Sequence, residues 1–226
     1  MRQRKVKNEE ERLAALSVCF VQNPEAQKGR WQEAFGNDQP IFIEIGCGKG
    51  QFLIAKAKQH PELNYIGVEG QGSVILRALE KVQSGELSNI VFINTYIREI
   101  EDVFSPEELS GVYLNFSDPW PKDRHAKRRL AHSSYLEGYK KVLKKGSSIE
   151  LKTDNDELFE FAVEEFKVSG FEMIVETRDL HSSQLEARLI TTEYEDKFRE
   201  QGKSINYCMV KVCAYSIRSH KQRRCH

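Results

Sequence analysis

IFIEIGCGKGQFLIAKAKQH, residues 41–60, changes character twice within its length. Residues 41–46 are an apolar run with β-branched side chains between Pro40 and a glycine, which reads as a short buried strand. Residues 51–60 read as a helix that Pro61 stops. Between them Gly46, Gly48 and Gly50 stand at alternate positions, so the backbone there can turn tightly and come close to a ligand. Strand, glycine loop and helix in that order open a parallel α/β sheet.

Working outward, the same alternation continues. Residues 64–69 and 89–94 read as strands around a helix at 73–85, and 111–116 as a fourth strand. A helix at 133–146 with a lysine-rich last turn precedes a fifth strand at 147–153, and a helix at 157–170 follows it. Residues 171–177 and 205–217 supply two late strands with no long helix between them. This implies right-handed crossovers and a mostly parallel seven-stranded sheet with helices on both faces. The last two strands are expected to form an antiparallel hairpin around a long insertion, 178–204. A helix is also expected over 9–19. The domain reading is an N-terminal basic and helical extension at 1–38, a catalytic domain at 39–217 and a basic tail at 218–226.

Composition bounds the answer. Hydrophobic residues make up 39% and charged residues 30% of the 226 positions, which suits one sizeable globular domain. Lys plus Arg and Asp plus Glu balance at 34 each, so no global polycation advertises nucleic acid. The charge is unevenly placed: Arg2, Arg4, Lys5 and Lys7 open the chain, and no acidic residue follows Glu200. No apolar run approaches a membrane span, and the basic start lacks a following signal-type apolar core. A cytoplasmic protein with no membrane association is expected, as a monomer or homodimer. Five cysteines without a CxxC pair argue against a disulfide framework and a structural zinc. His125 and His132 have no partner spacing for a metal.

The glycine loop fits neither a dinucleotide fingerprint nor a P-loop, because position 51 is Gln and Lys49 is followed by Gly50. What remains is GxGxG with Glu44 just before it and Glu69 closing the second strand. An acid at that strand end can accept both hydroxyl hydrogens of a ribose, so a nucleoside-type cofactor is expected. Ligands of such sheets bind beyond the carboxyl ends of the strands. There, after strand four, lies NFSDPWPKDRHAKRRL (115–130), which joins Asp118, a proline-framed Trp120 and five cations, Lys122, Arg124, Lys127, Arg128 and Arg129. An apolar wall, a carboxylate and dense positive charge suit a base borne on a polyanion. Plainer readings stand beside these. Asp118-Pro119 can start a turn, Thr153 or Asp154 can cap the helix that follows, and Thr192 with Glu195 fits a capping box for the helix DKFREQG.

EIGCGKG, NYIGVE, NFSDPWPKDRHAKRRL, LKTDN and TTEYEDKF, in this order, resemble the bacterial tRNA (guanine-N7-)-methyltransferase family, within the class I S-adenosylmethionine-dependent methyltransferases. The resemblance spans about residues 40–212, and the 118–129 stretch is its most specific part. It implies a Rossmann-like sheet and methyl transfer from S-adenosyl-L-methionine to a guanine N7 in the tRNA variable loop. It also implies that Glu44, Gly46, Gly48 and Gly50 surround the methionine part of the cofactor, with Glu69 at its ribose. Asp118 would lie beside the transferred methyl. Lys122, Asp154, Thr191, Thr192, Glu193 and Tyr194 would hold the substrate, and Arg124, His125, Lys127, Arg128 and Arg129 would meet RNA. Tyr96 departs from the family pattern, which places an acid near the adenine after strand three.

The chemistry asks for a carboxylate near the base, because methylation leaves a cationic purine. Asp118 is the first candidate and Asp154 the second. Two rivals remain: a class I methyltransferase acting on a protein or small molecule, and a non-catalytic RNA-binding protein with a degenerate cofactor fold.

Overall fold

A computed structural model describes residues 8–16, 18–82 and 87–213. The strands are β1 (Ile41–Ile45), β2 (Asn64–Val68), β3 (Ile90–Ile93), β4 (Leu109–Asn115), β5 (Leu143–Thr153), β6 (Phe171–Thr177) and β7 (Asn206–Val212). The helices are α1 (Glu9–Ala15), α2 (Trp31–Phe35), α3 (Gln51–Gln59), α4 (Gly72–Val82), α5 (Ser133–Val142), α6 (Asp156–Val168) and α7 (Glu193–Glu200). All seven strands form one sheet in the order β3-β2-β1-β4-β5-β7-β6. Strands β1 to β5 pair in parallel, while β7 is antiparallel to both β5 and β6. Strand order therefore reverses between β1 and β4, and the crevice at such a reversal is where ligands of open α/β sheets bind.

Two apolar layers cover the sheet. One face carries Ile43, Ile66, Leu114, Tyr139, Phe159 and Phe166, and the other Leu53, Tyr65, Ile75, Leu79 and Phe92. Strands buried on both faces explain the near-continuous apolar runs in β2 and β3.

The expected hairpin exists, with β6 at the sheet edge and β7 between it and β5. Several elements differ from the sequence reading. Helix α5 ends at Val142, and Leu143 to Gly146 belong to β5, which meets β4 at Leu109↔Leu143 and, after a register shift, at Gly111↔Ser148. The last-turn lysines of α5 are thus Lys140 and Lys141, not Lys144 and Lys145. The crossover from β3 to β4 carries only a 3₁₀ turn at Ile100–Asp102, so the alternation is not strict. Helix α1 is shorter than expected, and α2, absent from the sequence reading, seals the core with Trp31, whose indole donates to the Val103 carbonyl at 2.9 Å. The expected extensions of β7 beyond Cys213, the tail at 218–226 and the basic residues before Asn8 lie outside the described residues. Among the described residues no helix is long and apolar enough to cross a membrane.

Candidate active site

The glycine loop leaves β1 with Gly46 and Cys47 donating to the Val68 carbonyl at 2.8 and 2.9 Å. Gly50 caps α3 at φ +75°, and a Cβ there would lie 3.0 Å from Ala78 Cβ and 3.3 Å from the Phe92 ring. Both the conformation and the close approach call for glycine at this turn. Glu69, one residue past β2, accepts from Gly48 N–H at 3.2 Å and from Gln71 N–H at 2.8 Å. Its carboxylate is thereby fixed between the loop and the start of α4. Burial raises its pKa, backbone hydrogen bonds oppose that, and the charge of Asp118 raises it further.

Glu44 lies on β1 and is 2% exposed. Its Oε1 accepts from Asn115 Nδ2 at 2.8 Å, while its buried Oε2 has no hydrogen-bond partner among the described residues. Burial pushes this carboxyl up to about 8 against the hydrogen bond from Asn115, with the charge of Glu193 adding to the rise. Cys47 in the loop is buried, and burial followed by Glu44 and Glu69 drives its thiol well up. A thiol so disposed is an inert small side chain rather than a nucleophile.

After β3, Asn94 Nδ2 donates to the Glu69 carbonyl at 2.7 Å. Tyr96 is 71% exposed, and a Cβ on Gly70 would lie only 2.2–2.5 Å from atoms of its ring. The ring lies against the Gly70 backbone, and its remaining surface is open.

After β4 the chain is strained. Phe116 and Trp120 have φ +50° and +42°, in the left-handed region that non-glycine residues rarely adopt, at a cost of about 1–3 kcal/mol each. Its surroundings over-determine this loop. Phe116 N–H donates to the Lys152 carbonyl at 2.8 Å and its ring stacks on Phe198 with centroids 6.1 Å apart. Arg128 lies over the Trp120 ring at 4.8 Å, and His125 meets the same ring edge-on at 5.8 Å. Asp118 is exposed between the two strained residues.

Beyond it, a 3₁₀ turn at Asp123–Arg128 displays the cations. Lys122, Arg124, Lys127 and Arg128 are exposed and His125 is half-buried. Arg129 departs from the sequence reading, which grouped it with the RNA contacts. It is buried, its Nε and Nη2 donate to the carbonyls of Pro119 and Trp120, and its guanidinium covers the Phe161 ring at 4.4 Å. Its place between the loop and α6 makes it a support of the loop.

At the end of β5, Asp154 Oδ2 accepts from Lys203 Nζ at 2.6 Å. Helix α6 is capped by Asn155, whose Oδ1 accepts from Leu158 N–H at 2.7 Å, so neither Thr153 nor Asp154 is its cap. The capping box of Thr192 and Glu195 is present, with α7 beginning at Glu193 rather than at Asp196. Thr191 offers its carbonyl to Gln51 at 3.4 Å, Glu193 accepts from Lys81 Nζ at 2.9 Å, and Tyr194 is 61% exposed. Lys81 also donates to the Lys49 carbonyl at 2.9 Å, which ties this segment to the glycine loop. Sequence reasoning missed a buried group here, Lys152 with Glu195 and His181. Its one signal was a lysine inside the apolar run of β5.

The residues of the motifs thus meet at one end of the sheet, on both sides of the strand-order reversal. A family described as "Putative methyltransferase" matches residues 38–208. A tRNA (guanine-N(7)-)-methyltransferase of Bacillus subtilis is 48% identical over 193 residues, covering 85% of this chain and 90% of that one. Another, of Lachnoclostridium phytofermentans, is 46% identical over 206 residues, covering 91% and 96%. The chain belongs to the tRNA (guanine-N7-)-methyltransferase family. Among solved structures, the 16S rRNA methyltransferase KamB matches with a TM-score of 0.62 at 10% identity, covering 82% of this chain and 93% of that one. An antibiotic-related methyltransferase matches with a TM-score of 0.58 at 18% identity, covering 80% and 92%. At such identities the two structures speak for the class I methyltransferase fold alone.

The site residues suit the cofactor that this family's chemistry calls for. Three carboxyl groups, those of Glu44, Glu69 and Asp118, lie near the glycine loop, and Glu44 Oε2 has no hydrogen-bond partner among the described residues. Such a set fits a ligand that brings positive charge and hydroxyl donors of its own.

Proposed function

We propose that this protein transfers the methyl group of S-adenosyl-L-methionine to N7 of a guanine in tRNA, in the variable loop. Guanine N7 carries a free lone pair at neutral pH, so no residue has to remove a proton before attack. The cofactor, when bound, supplies an electrophilic methyl on a sulfonium. Everything else falls to the chain: holding, aligning and balancing charge.

Glu69, already oriented by Gly48 and Gln71, takes ribose hydroxyls. Glu44 presents its free Oε2 to the cationic end of the cofactor beside Gly46, Gly48 and Gly50. Tyr96 offers an open ring surface to the adenine in place of the family's acid. Asp118, exposed and at the end of β4, stabilises the positive charge that grows on the purine. Asp154, Lys122 and the Thr191–Tyr194 segment contact the guanine and its neighbours, and Lys122, Arg124, Lys127 and Arg128 hold phosphates.

The observation that carries this reading is one of placement. An exposed cationic turn, residues 122–128, follows directly on the carboxylate-bearing loop at the sheet reversal. A small-molecule or protein substrate would leave that turn without a role. The test is to incubate the protein with methyl-labelled cofactor and unmodified tRNA, digest to nucleosides and identify the labelled one. Label in 7-methylguanosine is expected. Label in another nucleoside, or none in RNA, overturns the reading.

A further inference from the structure

Lys152 is the most unusual group in the molecule outside the residues assigned so far. It lies on β5, two residues before Asp154, with a side chain only 2% exposed. Its ammonium donates to the Ala187 carbonyl at 2.6 Å, the Ile190 carbonyl at 2.9 Å and Glu195 Oε2 at 3.1 Å. Glu195 is fully buried, closes the capping box with Thr192, and meets His181 Nε2 at 2.8 Å. Residues 181–195 therefore wrap around one cation.

A buried ammonium loses its hydration and persists only where fixed acceptors replace it. Here the acceptors are two backbone carbonyls and one carboxylate from a stretch that runs from a 3₁₀ turn at Glu186–Arg188 into the first turn of α7. The cation does for that segment what a helix or strand ladder does elsewhere, because its carbonyls at 187 and 190 gain a buried donor. The outer face of the same segment is unlike its inner face. Leu189 and Tyr194 are each 61% exposed, two large apolar groups facing solvent beside Thr191 and Glu193. On its other flank, Gln51 Nε2 donates to Asp196 Oδ2 at 2.8 Å, which joins the segment to the first residue of α3.

We infer that Lys152 is a positioning residue: its buried ammonium, gripped by Glu195 and the carbonyls of Ala187 and Ile190, templates the 187–195 segment so that its outer face meets the substrate nucleotide. The ammonium itself touches no substrate. It acts through the segment, with Leu189 and Tyr194 as the apolar surfaces it presents. This rests on the tRNA reading for the identity of the substrate, though the template itself does not.

Lys152→Met alone leaves Glu195 buried without its cation and risks misfolding. The informative variant is the full-length Lys152→Met/Glu195→Gln pair. Gln preserves the capping box and its contact with His181, while the bonds to Ala187 and Ile190 disappear. Expected is an unchanged affinity for S-adenosylmethionine by calorimetry, with a KM for unmodified tRNA raised by about tenfold or more and a smaller change in kcat. Hydrogen exchange should speed up in residues 187–195 and stay at wild-type rates in β1 to β4. Wild-type KM and wild-type exchange in 187–195 would overturn the proposal, as would a uniform loss of protection and of cofactor affinity. If wild-type protein methylates no tRNA, the function proposed above fails instead, and the exchange and cofactor measurements still decide the template.

Discussion

Arg129 reaches back to Pro119: its Nε donates to the Pro119 carbonyl at 3.0 Å while its Nη2 donates to Trp120 at 3.1 Å. The cation that ends the basic cluster thus holds the loop that carries Asp118.

This divides the cluster into two kinds of residue, and mutation should separate them. Arg129→Gln is expected to destabilise the fold by about 1.5–3 kcal/mol, the range for hydrogen bonds to a charged group, and to lower turnover. Replacing exposed Arg124 and Lys127 with Gln should leave thermal stability alone. It should instead weaken tRNA binding and flatten its salt dependence by about 0.7–0.9 for each phosphate that is no longer neutralised. Thermal melts and salt-titrated tRNA binding on the two variants check this. Equal effects of both on stability would sink the division.

Glu69 orders the glycine loop through Gly48 and Gln71, and in the proposed function it also takes the ribose hydroxyls. Glu69→Ala is expected to weaken S-adenosylmethionine binding by about 1.5–3 kcal/mol. Because Gly48 and Gln71 lose their acceptor, part of that loss should appear as faster hydrogen exchange at those amides. Cofactor affinity that stays at the wild-type value, with the fold intact, removes Glu69 from the site.

If Glu44 faces the cofactor as proposed, it should link cofactor binding to pH. With its pKa pushed to about 8 by burial, it is protonated in the free protein at neutral pH. Stability from this raised group is complete below the ordinary 4.5 and is lost as pH rises through about 8. A cationic ligand favours the ionised form, so binding below that pH releases a proton and affinity climbs with pH. Calorimetry at neutral pH in buffers of different ionisation heat should show up to about one proton released in wild type. Glu44→Gln should abolish that release. A release unaltered in the variant would locate the proton elsewhere.

Gly70 and Tyr96 offer a test by coupling. An alanine at 70 would drive its Cβ into the Tyr96 ring, so Gly70→Ala should displace the ring and cost cofactor affinity much as Tyr96→Ala does. Stacking of a base on an aromatic ring contributes about 1–3 kcal/mol, and each single variant should lose a similar amount. The double variant should lose little more than either one, because residues in contact are not additive. Fully additive losses would mean that Gly70→Ala acts other than through the ring, and wild-type affinity in Tyr96→Ala would mean that Tyr96 does not lie over the adenine.

What the sequence showed depends on how local the cause was. Strands β1 to β5, the hairpin of β6 and β7, and the positions of Glu44, Glu69 and Asp118 at the ends of β1, β2 and β4 were legible because apolar runs and strand-end motifs are local signals. The capping box at Thr192 was legible for the same reason. Arg129 was not, since a cluster read along the chain gives no hint of which guanidinium turns inward to two carbonyls nine and ten residues earlier. Nor was the grip of Lys152 on residues 187–195, which needs contacts across 35 to 43 positions. The end of α5 was misread because lysines follow helices and enter strands equally well, and the pairing of Leu143 with Leu109 decided it.

The two candidate acids can now be ranked by their surroundings. Asp154 is engaged by Lys203 at 2.6 Å, so part of its charge is already balanced and its field at the base is reduced. Asp118 has no ion pair among the described residues, stands between two backbone positions held in the left-handed region, and is near enough to raise Glu69. A carboxylate on a rigid, strained loop costs no reorganisation when charge appears on the purine, which is where electrostatic stabilisation is strongest. Asp118→Asn keeps the shape and removes the charge, so kcat should fall by about 10²-fold or more while cofactor affinity changes little. Asp154→Asn should act mainly on KM for tRNA, with Lys203 freed. Single-turnover rates with saturating tRNA distinguish the two. If Asp154→Asn shows the larger loss in the chemical step and Asp118→Asn stays near wild type, the charge that stabilises the product is at the end of β5, and the strained loop after β4 serves to shape the pocket wall instead.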